Sequence, residues 1–212
     1  MRLFPKAQFK DFPKEFKTLN ALRTPVTIQD FLNAMPFNFE ERGETYWSPV
    51  VVLKNKKAHC MEGAMLAAAA LWLHGRPPII MDLKTTNRDI DHVVALFKEG
   101  NRWGAISKTN HAVLRYRDAI YRDPREIAMS YFNEYFLNED GKKTLRGYSE
   151  PFDLSRCGAA WLTAKEDLDD IAFALDRSPH VDILGKGRAR RLRPAEPIEI
   201  EAGKIIEWKK GK

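Results

Sequence analysis

The feature that most constrains this chain is a fifteen-residue run, Cys60 to His74, with almost no polar face. Cys60, Ala64, Ala67, Ala68 and Leu71 recur at helical spacing, and Met65, Ala69 and Trp72 fill the opposite side. A helix apolar on every side has to be wrapped by other elements, so the fold must be built around it. Its alanines allow neighbouring strands to come close. Gly75 and Pro77-Pro78 mark its end.

Beyond the helix the chain reads as sheet. Ile79 to Leu83, His92 to Phe97 and Arg102 to Ser107 are strand candidates, the last two joined by the turn Glu99-Gly100-Asn101. Elsewhere, Thr27-Ile28-Gln29-Asp30 predicts a capped helix start that Pro36 stops, and Tyr46-Trp47-Ser48-Pro49 a turn-rich entry to the apolar segment Val50 to Leu53. Asp123-Pro124 predicts a helix running to about Phe136, and Thr163 to Glu166 caps one ending near Asp176. Residues 1–25 suggest an arm over the body. Ile198-Glu199-Ile200 and Lys204 to Trp208 predict a small hairpin about Ala202-Gly203.

At 212 residues, with 44% apolar and 30% charged side chains, the chain suits one globular domain spanning 1–212. No apolar run reaches transmembrane length, so no membrane partner is expected. No signal-type segment follows Met1, which makes the cytoplasm the expected compartment. The net charge of +6 is concentrated late, at Lys186, Arg188, Arg190, Arg191 and Arg193, then Lys204, Lys209, Lys210 and Lys212. Without interleaved aromatics or a nucleic-acid motif, that run reads as a solvated loop rather than a nucleic-acid site.

Two cysteines, Cys60 and Cys157, form no disulfide framework and no metal spacing. Asp82, Asp89, Asp91 and His92 gather acids about a histidine without fixed ligand geometry, so no metal and no cofactor is expected. Cys60 opens the buried helix, where unpaired N–H groups and the helix dipole favour a thiolate. His92, at the start of a strand, is placed to stabilise that thiolate and pass on a proton, with Val94 and Leu96 expected beneath it against the helix. Cys157 reads as packing, His59 and His111 as bystanders (although His59 is placed to tune the thiol), and Glu62 as a cap or surface residue.

The segment Asn55 to Ala64 resembles the nucleophile turn and small-residue helix of the transglutaminase-like (papain-like) cysteine superfamily. Leu73 to Ile80 is similar to that family's helix end, Asp91 to Phe97 to its histidine strand, and Asn101 to Thr109 to its third-residue strand. The thirty-two positions from Cys60 to His92 and fifteen from His92 to Ser107 suit the family. The likeness covers about residues 45–110. It implies an α+β, transglutaminase-core fold, with the nucleophile helix packed on an antiparallel β-sheet.

The resemblance further implies a cysteine nucleophile acting on an amide of a peptide or protein substrate through an acyl-thioester, as hydrolase, peptidase or acyltransferase. Tyr46 or Trp47 then becomes a candidate oxyanion donor beside the Cys60 N–H. One position departs from the pattern: Ser107 stands where the family has an aspartate that orients the histidine. Ser107 ranks first as orienting group by position, Asn110 second by chemistry, and Asp118 third. The alternative is a catalytically impaired binding module that recruits a peptide or protein through the same cleft.

Overall fold

The computed structural model describes residues 3–5, 11–41, 43–185 and 187–210. The predicted central helix, α3 (Cys60–Leu73), is buried along its length apart from Cys60, which keeps partial exposure. Two short helices precede it, α1 (Pro25–Asn33) and α2 (Pro49–Asn55), both packed against it. Each starts with a proline at the first helical position behind a hydroxyl cap, Thr24 or Ser48. The start of α1 therefore lies earlier than the sequence suggests. Thr24 is the cap, and Thr27 closes the capping box.

The sheet holds seven strands: β1 (Ile79–Lys84), β2 (His92–Glu99), β3 (Arg102–Ser107), β4 (Arg117–Tyr121), β5 (Gly147–Ser149), β6 (Phe152–Asp153) and β7 (His180–Asp182). Its order is β4-β3-β2-β1-β5-β7, β6 also pairs with β1, and every pairing is antiparallel. The expected α+β arrangement, a buried helix on an antiparallel sheet, is what the chain adopts.

Both faces of the sheet are covered, which is why β2 lacks the polar alternation of a one-sided strand. Ile80, Val93, Ala95, Phe97 and Ile106 belong to the core around α3. Met81, Leu83, Val94, Leu96 and Ala105 face a second core, formed with Ile127, Ala128, Tyr131 and Tyr135 of α4 (Pro124–Tyr131) and the segment after it. Val94 and Leu96 thus pack on the far face, not beneath α3 as their phase with His92 suggests. Gly104, opposite Phe97, makes room for the ring, because a Cβ there would lie 2.4 Å from Phe97 Cζ.

The arm enters this core. Phe4 meets Trp72 of α3 edge-on at 5.4 Å, and Phe16 and Leu19 are buried on a 3-10 helix, Lys14–Ala21. Three further elements differ from expectation. α4 ends at Tyr131, with a 3-10 turn over Phe132–Glu134. α5 (Asp169–Asp176) starts after Leu168, whose N–H is held by the Tyr46 carbonyl at 2.8 Å. The C-terminal hairpin is absent: Pro197–Gly203 is a helix, α6, with a box between Glu196 and Glu199. A proline at the first helical position and a box three residues apart outweigh the brief Ile-Glu-Ile alternation. Beyond α6, residues 204–208 run back along the loop that follows β3, with Ile206 bridged to His111. No helix among the described residues is long and apolar enough to cross a membrane.

Candidate active site

Cys60 is the first residue of α3 and His92 the first of β2, and both line one cleft, with the imidazole near enough to bear on the sulfur. Contact is made at the ends of the two elements. Burial alone would raise the Cys60 pKa, but hydrogen bonds and charge from His59 and His92 outweigh it and carry the thiol well below its usual range.

Ser107 ends β3. Its cross-strand partner is Val94, so it lies diagonal to His92 on the same face of the sheet. Ser107 Oγ is 2.8 Å from His92 Nε2 and 2.5 Å from the Leu114 carbonyl oxygen. A serine has one proton, and only the carbonyl must receive it, so Oγ donates to Leu114 and accepts from His92. Nε2 therefore carries hydrogen, leaving Nδ1 for the sulfur. Leu114 adopts a left-handed φ of 61°, and its N–H donates to Glu134 Oε2 at 2.6 Å.

Gln29 of α1 clamps the main chain of Ser107, accepting from its N–H at 2.9 Å and donating to its carbonyl at 2.8 Å. This residue lies seventy-eight positions away, and no local pattern announces it. Asn110 does not meet His92 in a hydrogen bond. Its amide is spent on the main chain of Trp208, donating at 3.0 Å and accepting at 2.8 Å. Asp118 is exposed on the edge strand β4. Of the three candidate orienting groups, the structure brings only Ser107 to the imidazole.

The larger surprise is His59, which caps α3. Its ring Nδ1 lies 3.9 Å from Cys60 Sγ, and Nε2 donates to the Thr45 carbonyl at 2.7 Å. Glu62 Oε1 is 3.5 Å and Glu40 Oε1 3.7 Å from Nε2. Burial works against a charged ring here, yet the Cys60 thiolate, Glu62 and the Thr45 carbonyl raise the His59 pKa to about 10. Glu62 is fully buried rather than at the surface. It receives the His59 N–H at 2.9 Å, Thr45 Oγ1 at 2.8 Å, Asn38 Nδ2 at 3.1 Å and the Trp47 N–H at 3.4 Å. A cap spaced His-x-x-Glu was the available signal in the sequence, since the residue before a helix lies beside its first side chain.

Cys60 and His92 open into a cleft of about 560 Å³, walled by residues 87–91, 108–111 and 134–139. Tyr135, in that wall, has a buried hydroxyl without a hydrogen-bond partner. Burial, then the charge of Cys60, push its pKa well up, so it stays a donor. Lys108 turns away to cap α1, donating to the carbonyls of Leu32 (2.9 Å) and Met35, and burial brings its pKa down to about 8.

Most of the remaining candidates are engaged elsewhere. Tyr46 turns its hydroxyl to Glu44, and the Trp47 N–H goes to Glu62. His111 contacts the Gly203 carbonyl at 3.0 Å. Cys157 is exposed, not packed. Among the described residues no group of three or more His, Cys, Asp or Glu is arranged to hold a metal ion. Arg188, Arg190 and Arg191 lie exposed on a 3-10 turn; Lys186 and Lys212 fall outside the described residues.

No family model matches the chain, and no curated protein matches its sequence. Among solved structures it is similar to LapG of Legionella pneumophila. The EGTA-treated form is 12% identical, with 90% of this chain and 97% of that chain covered and a TM-score of 0.42. The calcium-bound form is 14% identical, with 49% and 70% covered and a TM-score of 0.36. Both scores lie below one half, where likeness of shape decides nothing about chemistry.

Proposed function

We propose that the chain is a cysteine-nucleophile enzyme that acts on an amide bond of a peptide or protein through an acyl-thioester. The supporting observation is the thiol at the start of α3, in one cleft with an imidazole whose Nε2 is held by Ser107. The cleft beside it has room for several residues of an extended peptide.

The Cys60 thiolate attacks the carbonyl carbon, forming the S–C bond and a tetrahedral oxyanion. Collapse breaks the C–N bond, and the amine leaves with the proton from His92 Nδ1. Water, or an acceptor amine, then attacks the thioester while giving its proton to His92. The C–S bond breaks and the thiolate returns. A helix N-terminus offers main-chain N–H groups near the developing oxyanion, and the dipole favours both charged states of the sulfur's cycle. Ser107 holds the ring in the tautomer that leaves Nδ1 free for these transfers.

The test is alkylation. Iodoacetamide is expected to modify Cys60 rapidly at neutral pH, with Cys157 slow because partial desolvation of its sulfur, then the charge of Asp153, push its thiol up although the residue is exposed. His92→Ala should slow the labelling of Cys60. A Cys60 that titrates near the ordinary value of about 8.5 would leave the enzyme reading without its basis.

A further inference from the structure

Ser107 is a neutral partner for His92, so charge stabilisation of an imidazolium has to come from elsewhere or be absent. The side of Cys60 away from the sheet supplies an answer. His59 faces the sulfur with Nδ1, and its Nε2–H is fixed on the Thr45 carbonyl. The charged and titratable groups around this ring are Cys60 and Glu62 from α3, and Glu40 and the Tyr46 ring from the segment before α2.

Glu62 is surrounded by donors. Thr45 Oγ1 already accepts from Asn38 Nδ2 at 3.0 Å, so its hydrogen goes to the carboxylate. Asn38, His59 and Trp47 contribute N–H groups. Burial raises the Glu62 pKa, but no neighbour among these partners requires a carboxyl proton, so the hydrogen-bond network favours the ionised form. A buried carboxylate of this kind demands a nearby positive charge, and His59 is the nearest ring to provide one.

We propose that His59, backed by Glu62, is the standing counter-charge of the Cys60 thiolate, leaving His92 to carry the proton that moves. The proposal rests on the acyl-thioester reading and refines it. Charges balance as two against two: the thiolate and Glu62 against the His59 and His92 imidazoliums, with His59 standing beside both anions. When His92 hands its proton to the leaving amine, His59 keeps its own, because Nε2–H is tied to Thr45 and Nδ1–H points at sulfur. Water then returns a proton to His92, and the thiolate departs from carbon toward a positive ring already in place. A second imidazole thereby performs the electrostatic task that a carboxylate on His92 would otherwise perform.

The experiment is the pH dependence of Cys60 alkylation by iodoacetamide in the full chain, for wild type, His59→Gln and Glu62→Gln. Glutamine at 59 can still donate to Thr45 but carries no charge. Wild type is expected to inflect well below about 8.5, and His59→Gln to inflect at least one unit higher, so that labelling at pH values below both inflections slows by about tenfold or more. Glu62→Gln should move in the same direction, and it carries the test should His59→Gln fail to fold. His92→Gln should still take up the acetyl group of p-nitrophenyl acetate, whose leaving group needs no proton, but should fail to release it. A His59→Gln or Glu62→Gln profile superimposed on a low wild-type profile overturns the role of His59 and leaves the enzyme reading intact. An ordinary thiol in the wild type removes both.

Discussion

Ser107 is used in both directions, accepting from His92 and donating to the Leu114 carbonyl. Two substitutions separate these tasks. Ser107→Ala leaves an imidazole N–H and a carbonyl short of a partner, and should destabilise the fold by about 1–3 kcal/mol in chemical denaturation while slowing Cys60 alkylation. Ser107→Asp looks like a restoration, but a carboxylate cannot donate, and its oxygen would face a carbonyl oxygen now 2.5 Å from Oγ. Reactivity of the thiol should therefore fall rather than rise; a clear gain in alkylation rate would contradict the assigned direction of the hydrogen bond. At this scale the sequence is legible where chemistry follows from position on an element. Cys60 at a helix start and His92 at a strand start can be read, whereas Gln29 and Leu114 reach Ser107 only through tertiary folding. His59 stands in plain view as the residue before the helix, but a histidine is not among the usual caps, and its spacing to Glu62 is the further signal that marks it.

Between elements, one tight joint is that of α3 with the end of β3. A Cβ on Gly63 would sit 2.4 Å from Lys108 Cβ and 3.1 Å from its Cγ. Lys108 cannot swing aside, since its ammonium is held by two carbonyls at the end of α1. Gly63→Ala should therefore cost about 1–3 kcal/mol by overpacking, despite the better helix propensity of alanine, and a lower urea midpoint at unchanged slope would register it. The helix and the β2–β3 hairpin are readable because each carries its pattern within itself: apolar residues all round in one, a two-residue turn with Gly100 at a φ of 59° in the other. The end of the chain is not. Three alternating residues, Ile198 to Ile200, mimic a strand, and the cap that makes them helical lies in Glu196 and Pro197 just before. The covering of both sheet faces is equally hidden, because β2 is apolar whichever way it turns.

For the molecule as a whole, the paired shifts of Cys60 and His59 set a pH window. Below His59's ordinary 6.5, the unfolded chain carries both protons while the native state has already released the thiol's, so this pair's contribution to stability grows with rising pH. Between 6.5 and 9.0 each state holds one proton, and the contribution is level. Above 9.0 the unfolded thiol ionises while His59 keeps its proton up to about 10, so native stability falls. Thermal unfolding of wild type should show this plateau with losses on both sides, and His59→Gln should lose the alkaline decline; an unchanged alkaline limb would count against the charge on His59. Asn110 adds a practical consequence. Its amide clasps Trp208 two residues from Lys210, in the same loop that forms one bank of the cleft. A load carried by the segment around Trp208 is therefore a load on a wall of the cleft, and loosening either one loosens the other.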